Sequence, residues 1–269
     1  GLRLKTERGN RVFPESDHSS DVIRVLERKI QQFGVKVHYE RRANHLIVED
    51  GVCVGVVDAH GKVERGDFVL IACGGCSYPS TGATEDGYRM AEKVGHAIVT
   101  PRPSLVPMET HEDWCRELMG LSLRNVSVVL KKGKKKIYED FGEMLFTHFG
   151  VSGPVVLSGS SYITKFINKG EKISIKIDLK PALSDDELDS RIIRDFSEVL
   201  NKDFANSLGK LLPAKLIPVI IELCEINPHK KVNEITKEER RRLLEALKGL
   251  RVKLSGFRPI EEAIITRGG

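Results

Sequence analysis

The chain has 269 residues, of which 40% are hydrophobic and 30% are charged, and its formal net charge at pH 7 is +5. This composition is typical of a globular protein, and the length allows two compact domains. No apolar run approaches the ~20 residues that a membrane-spanning helix needs, so we expect no membrane segment. The small excess of Lys and Arg does not by itself predict nucleic-acid binding.

The first predicted element is a helix that begins near Ser19 and Ser20, which offer N-caps, and ends at Gly34. Its apolar stripe includes Leu26 and Phe33, and we expect this stripe to pack on a sheet. The next predicted elements are strands at 35–38, 46–48, 52–57 and 68–72 and a helix at 86–94. The run at 68–72 is typical of a buried strand because it is apolar throughout and ends in glycines.

Prolines at positions 101, 103 and 107 predict a domain boundary. Beyond it we expect a mostly β region, with one helix that begins at Pro154. The predicted strands lie at 123–130, 135–139, 143–147, 172–178, 252–255 and 263–266. Capping boxes at Ser184 and Thr236 begin two helices, and a third helix is predicted between them at 211–224. Because strands precede and follow this helical block, we expect it to be an insertion in the β region.

Five lysines at 131, 132 and 134–136 surround Gly133. Such a run forms either a solvated hairpin turn, which is the commoner case, or a phosphate-binding patch. A phosphate-binding patch would bind nucleic acid with a steep dependence on salt concentration, whereas a solvated hairpin turn would not.

The five cysteines are widely spaced and odd in number, which disfavours a disulfide framework and favours a reducing, cytoplasmic location. Cys73 and Cys76 form a C-x-x-C, but no second pair or paired-histidine motif accompanies it. Metal binding and dithiol chemistry are therefore disfavoured.

The most informative segment is 71–88, which reads I-A-C-G-G-C-S-Y-P-S-T-G-A-T-E-D-G-Y. Glycines allow backbone to approach a ligand closely, and the serine and threonine hydroxyls can bond phosphate, ribitol or ring atoms. A glycine turn that only ends a strand is the alternative.

Four segments, in the same order, resemble the bacterial aminoacetone-oxidase-like flavoproteins, relatives of the fumarate-reductase flavoprotein group. They are 11–14 (R-V-F-P), 71–88, 145–154 (L-F-T-H-F-G-V-S-G-P) and 263–269 (A-I-I-T-R-G-G). The chain departs from this family's pattern at Cys73, Ala83 and Glu85, where the family usually has Thr, Ser and Gly.

The resemblance implies an α/β plus β architecture. Its parts would be a partial FAD-binding Rossmann-like domain, an inserted β-barrel-like domain and a helical subdomain. The implied limits are 1–103 for the partial FAD-binding domain, 104–182 with 250–260 for the β-rich substrate domain, 183–249 for the helical insertion, and 261–269 for the return to the FAD-binding domain.

The resemblance also implies an FAD-dependent oxidoreductase that moves a hydride between the flavin and a small organic substrate, with NAD(P)H as a possible electron donor. However, no G-x-G-x-x-G occurs in the chain. We therefore expect the natural protein to extend beyond both ends, and the chain alone to bind FAD weakly or not at all and to be inactive. The alternative is a non-catalytic interaction module whose helical block binds a partner.

Two groups of site residues are expected, the first from the resemblance and the second from the anion-binding chemistry of a helix N-terminus. The expected flavin contacts are Arg11, Pro14, Ala43, Gly74, Gly75, Tyr78, Thr81 and Gly82, and an ordinary surface charge is the alternative for Arg11. Thr147, Ser152 and Gly153, at the start of the Pro154 helix, are expected to contact a substrate or an anion. His148 is either a proton donor or acceptor or a structural hydrogen-bonding residue. No metal ligands, nucleic acid or membrane are predicted as partners.

Overall fold

A computed structural model describes residues 1–7, 10–167 and 169–269. These residues divide into two compact units, Gly1–Val69 and Leu70–Gly269. The limits that the resemblance implies for the FAD-binding, substrate and helical domains stay a prediction.

The described residues of the first unit form β1 (Leu4–Glu7), β2 (Arg11–Pro14), α1 (Ser19–Gln32), β3 (Ala43–Glu49), β4 (Val52–Asp58) and β5 (Val63–Arg65). β1 pairs with β2, and β3, β4 and β5 form an antiparallel sheet in that order. Asp50 and Gly51 form the turn between β3 and β4, and both have positive φ, 49° and 78°. Asp-Gly is a favoured sequence for such a tight hairpin turn.

Three expectations for the first unit are wrong. Residues 35–38 form no strand. The N-cap of α1 is His18, without a side-chain cap, rather than Ser19 or Ser20. The apolar stripe of α1 is not buried, since Leu26 is 58% and Phe33 is 75% exposed. None of the residues of α1 is buried.

The second unit contains α2 (Asp86–Lys93), β6 (Arg102–Ser104), β7 (Met108–Thr110), α3 (Trp114–Glu117), β8 (Ser122–Lys132), β9 (Lys135–Thr147), β10 (Gly150–Ser152), α4 (Pro154–Ile167), β11 (Ile173–Asp178), α5 (Asp185–Ser197), α6 (Ile217–Cys224), α7 (Lys237–Gly249), β12 (Leu250–Phe257) and β13 (Ile265–Arg267). The run at 68–72 is not a strand, which corrects the sequence expectation. Phe68 and Leu70 are 95% and 89% exposed, because no described strand lies beside them.

Six strands close into a barrel in the order β10-β7-β12-β11-β8-β9. Every neighbouring pair is antiparallel. Along β8, Val126, Val128 and Leu130 alternate with more exposed residues and are buried in the core, as the period of two in a half-buried strand requires. The mixed α/β class and the barrel are thereby confirmed, whereas the Rossmann-like part stays a prediction.

The helix α4 packs against the barrel and begins at Pro154, as predicted. Val155, Val156 and Ile163 are buried. A Cβ at Gly159 would lie 2.7 Å from Leu130 Cδ1, so glycine allows the helix to approach β8 closely. The hydroxyl of Ser160 accepts a hydrogen bond from the backbone N–H of Val106 at 3.0 Å.

The helical block lies between β11 and β12, which pair directly, so it is inserted into the barrel sequence. Both predicted capping boxes are present, at Ser184 with Glu187 and at Thr236 with Glu239. The predicted helix at 211–224 is shorter than expected: α6 begins at Ile217. None of the helices in the described part of the chain is both long enough and apolar enough to cross a bilayer.

Candidate functional site

Residues 73–85, here called the glycine loop, have an unusual backbone. Gly74 and Gly82 have φ of +73° and +99°. Tyr78 and Glu85 also lie in the left-handed region, at 50° and 64°, which costs a non-glycine residue about 1–2 kcal/mol. The loop therefore keeps a shape that its local sequence does not favour, and contacts elsewhere must hold it.

Those contacts come from the C-terminal segment. The backbone N–H of Cys76 donates to Thr266 Oγ1 at 2.7 Å, and Ser77 Oγ lies 3.2 Å from the same atom. The backbone N–H of Tyr78 donates to the carbonyl of Glu261 at 3.0 Å. A Cβ at Gly75 would lie 2.3 Å from Thr266 Oγ1, so Thr266 itself requires glycine at position 75.

The outer side of the loop is open. Nothing lies within 4 Å of the position that a Cβ of Gly82 would occupy. The side chain of Tyr78 is 46% exposed. Thr81 Oγ1 donates to the carbonyl of Tyr78 at 2.7 Å, so its hydroxyl stabilises the loop and keeps its acceptor capacity.

Arg258 lies between the barrel and the glycine loop's anchor. Its guanidinium donates to both carboxylate oxygens of Glu262, at 2.6 and 3.0 Å, and to Glu109 on β7 at 2.9 Å. These bonds, first to Glu262 and then to Glu109, raise the pKa of Arg258 above its ordinary value. Such bidentate pairing fixes the guanidinium plane.

The turn between β9 and β10 brings His148 to this same place. The Arg258 guanidinium carbon lies 4.7 Å from the centroid of the Phe149 ring, and the His148 ring packs edge-on against Phe149 at 4.8 Å. The pKa of Glu262 is lowered, chiefly by its hydrogen bonds to Arg258, and the charge of His148 contributes in the same direction. His148 is therefore an exposed side chain that packs on the same Phe149 ring as Arg258.

The other predicted substrate residues lie on this turn and the strand after it. The buried hydroxyl of Thr147 has no hydrogen-bond partner among the described residues. Ser152 ends β10, and Gly153 has φ of +95°. Gly153 packs closely on Met144, since its Cβ would lie 2.7 Å from Met144 Cα. Its carbonyl accepts the first backbone hydrogen bond of α4, from Leu157.

The structure thus links two groups that sequence reasoning treated separately. The segment 258–262 contacts the glycine loop through Glu261 and the His148–Phe149 turn through Arg258. The remaining predicted residues belong to the first unit: Arg11 and Pro14 are the ends of β2, and Ala43 begins β3 opposite Asp58. Their roles, like those of all the predicted site residues, stay predictions.

Sequence reasoning missed Arg258, Glu109, Glu262 and the anchoring role of Thr266. Thr266 lies within a segment that matches the resembled family, so that match was a signal for it. The other three lie in segments without a motif. They meet because β7 and β12 are neighbours in the barrel.

The cysteines of the loop do not form a reactive pair in this structure. All five cysteines are free, and Cys76 is buried. Burial raises the pKa of the Cys76 thiol to about 11, and a hydrogen bond to Glu85 adds to this shift. In the described part of the chain, no group of three or more His, Cys, Asp and Glu side chains could hold a metal ion.

Two of these residues have features that a ligand could use. A left-handed glycine with open space beside it, Gly82, permits close approach of a ring. The unpartnered hydroxyl of Thr147 supplies a buried hydrogen-bonding group.

A separate apolar cavity of about 650 Å³ lies in the helical block, between Ile217, Ile221 and Ile226.

Residues 102–265 match the family described as HI0933-like protein barrel and H2TH domain. The chain is 27% identical over 274 residues to a 3-dehydro-bile acid delta(4,6)-reductase of Clostridium scindens, across 100% of this chain and 65% of that protein. It is 30% identical over 213 residues to a ribosomal RNA dihydrouridine synthase of Escherichia coli, across 79% of this chain and 50% of that protein. A ribosomal RNA dihydrouridine synthase of Haemophilus influenzae is 27% identical over 255 residues, across 93% of this chain and 60% of that protein.

The chain thus spans between 50% and 65% of the length of these curated relatives. The matches confirm that the chain resembles a family whose domain contains a barrel. Its relatives are named as a reductase and as synthases.

Proposed function

Because the chain belongs to the family of HI0933-like barrel and H2TH domains, we propose that it is part of a flavin-dependent oxidoreductase that reduces a carbon–carbon double bond. The names of the relatives support this reaction. Dihydrouridine is uridine with two added hydrogens, and a delta(4,6)-reductase acts on double bonds. In both cases a hydride and a proton are added to an unsaturated organic substrate.

FAD is the flavin that we propose, since the four motif segments resemble the aminoacetone-oxidase-like flavoproteins, and NAD(P)H is the proposed electron donor. When bound, the flavin would supply the hydride, becoming oxidised as the substrate is reduced. The chain's own residues would bind and orient the substrate, exclude water and supply the proton.

The observation that carries this proposal is the double anchor of the glycine loop. Thr266 and Glu261 bond the loop at Cys76 and Tyr78. Glu262, the next residue, fixes Arg258 by hydrogen bonds. Arg258 in turn packs on Phe149, in the turn that carries His148. A flavin-facing loop and a proton-carrying side chain are therefore parts of one connected structure, which is what a hydride transfer coupled to protonation requires.

Three side chains have proposed roles in this reaction. His148 holds the proton that the substrate carbon receives. Arg258, fixed by two carboxylates, positions the His148–Phe149 turn. The free hydroxyl of Thr147 donates a hydrogen bond to a substrate oxygen.

The flavin role of the loop is tested with two matched glycines. Gly82 and Gly95 have nearly the same φ, +99° and +97°, and both have open space at the Cβ position. Gly82→Val and Gly95→Val should therefore lose similar stability, about 1–2 kcal/mol. In the protein expressed with its flanking sequence, only Gly82→Val should lower the flavin retained through gel filtration. Equal flavin retention by the two variants would contradict the proposal.

A further inference from the structure

A band of basic side chains extends over the second unit from the β6–β13 strand pair, across the end of α4, to the β8–β9 hairpin. We call it the basic band. Its members are Arg102, Lys131, Lys132, Lys134, Lys135, Lys136, Lys165, Lys169, Lys172 and Arg267.

At one end, Arg102 and Arg267 are direct cross-strand partners on β6 and β13. Together with Lys165 and Lys169 they line a cavity of about 440 Å³ whose lining contains no carboxylate. Arg267 directly follows Thr266, the anchor of the glycine loop, so this end of the band adjoins the candidate site.

The Phe166 ring joins this cavity to the hairpin. Lys165 Nζ lies 5.0 Å and Lys132 Nζ lies 5.3 Å from its centroid. Cation–aromatic contacts of this length hold both ammonium groups in place. Lys132 is also the cross-strand partner of Ile173, so Lys172 lies beside it at the start of β11.

The hairpin has a charge pattern that opposes folding. Lys131 faces Lys136 and Lys132 faces Lys135 across the two strands, and like charges directly opposite each other destabilise a sheet. Glu171 pairs with Lys132, and Glu139 pairs with Lys136.

For the other lysines of the band, Lys131, Lys134, Lys135, Lys165, Lys169 and Lys172, no ion pair occurs within the described ranges. Each of the two facing lysine pairs therefore has one lysine without a carboxylate partner in the described residues, and such a charge is available to an anion.

Aromatic side chains lie among these cations. Tyr162 is 56% exposed on α4, one turn before Phe166. It stacks with Tyr138 of β9 at a centroid distance of 5.0 Å. Exposed aromatic faces beside cations are the arrangement that binds unpaired bases and their phosphates.

We propose that the basic band binds an unpaired nucleic-acid strand, with phosphates on its Lys and Arg side chains and a base on Tyr162. This inference goes beyond the proposed function and does not depend on flavin. The modest net charge concealed the band, because its cations come from four separate segments of the sequence and only the lysine run forms a visible cluster.

The test is fluorescence anisotropy with a short labelled oligouridylate over a range of salt concentrations. Lys134→Glu/Lys135→Glu should weaken binding about tenfold or more and reduce the slope of log K against log salt by about 0.7 for each lost phosphate contact. Lys202→Glu/Lys237→Glu makes the same charge change at two exposed positions of the helical block and should leave the affinity within about twofold. Tyr162→Leu should weaken binding without changing the salt slope.

The hairpin variant also has a control for folding. Lys135→Glu places a carboxylate opposite Lys132, so the melting temperature should not fall. The proposal is overturned if the control variant weakens binding as much as the hairpin variant, or if the wild-type protein does not bind at low salt. It is also overturned if phosphatidylserine vesicles displace the oligonucleotide while Tyr162→Leu has no effect. None of these results would bear on flavin retention, so the proposed function is tested separately.

Discussion

Thr266 Oγ1 accepts a hydrogen bond from the backbone N–H of Cys76 at 2.7 Å, across 190 residues of sequence. This bond joins the C-terminal strand to the glycine loop and leaves no room for a side chain at Gly75. The loop's form therefore depends on a contact with the far end of the chain.

Gly75→Ala tests this contact. The new Cβ would lie 2.3 Å from Thr266 Oγ1 and 2.6 Å from Thr266 Cβ, so the loop or β13 must move. We expect the free energy of unfolding to fall by about 1–3 kcal/mol in urea denaturation.

The matched control is Gly209→Ala, where a Cβ would meet nothing within 4 Å and φ is not positive. That variant should be neutral or slightly stabilised, by up to about 1 kcal/mol. A Gly75→Ala protein as stable as the Gly209→Ala protein would mean that Thr266 does not constrain the loop.

Glu85→Gly should stabilise the protein. Glu85 has φ of 64°, a conformation that glycine adopts without the Cβ penalty. The relief of about 1–2 kcal/mol exceeds the extra chain entropy of glycine, about 0.5–1 kcal/mol, so the thermal midpoint should rise. A lower midpoint would show that the hydrogen bond between Glu85 and the Cys76 thiol outweighs the backbone strain.

Local sequence patterns predicted the parts of this fold that local forces determine. The run at 123–130 predicted a strand that the structure contains, and Ser184 and Thr236 marked two helix starts. The strand predictions at 35–38 and 68–72 failed because a buried strand depends on neighbours that the local sequence does not specify.

The same division holds for the site. His148 and Thr147 stood in a recognisable motif, whereas Arg258 and Glu109 are 149 residues apart and meet only in the closed barrel. Neither has a neighbouring residue pattern that indicates a functional role. Only the strand order of the barrel, which places β12 beside β7, brings them together.

His148→Ala should lower turnover about a hundredfold with little change in KM, because a proton donor acts mainly in the transition state. The measurement is steady-state kinetics of the protein expressed with its flanking sequence. His111→Ala is the control, since the His111 side chain is exposed and the backbone N–H of His111 donates to the carbonyl of Lys253, a bond that alanine keeps. Equal turnover of the two variants would remove His148 from the proposed mechanism.

Stability should fall at alkaline pH through two buried thiols. Burial raises the pKa of Cys115 and of Cys224 to about 12, so the folded state keeps protons that the unfolded state loses above its ordinary thiol pKa of about 8.5. This contribution is complete below that pH and is lost as the pH rises toward 12, at up to about 1.4 kcal/mol per pH unit for each thiol.

Urea denaturation at several pH values between these limits measures the slope, and Cys224→Ala should make it less steep. The Cys224→Ala protein keeps every other group that titrates at alkaline pH. The difference between its slope and the wild-type slope therefore measures the contribution of the Cys224 thiol. A variant with the wild-type slope would show that the thiol does not contribute to the pH dependence.

The central claim is that this chain helps a flavin to reduce an unsaturated substrate, and the visible spectrum tests it most directly. We predict that the protein expressed with its flanking sequence shows the bands of oxidised flavin. Under anaerobic conditions these bands should bleach with NAD(P)H and return when an α,β-unsaturated carbonyl compound is added. A protein that stays colourless after incubation with FAD would contradict the claim.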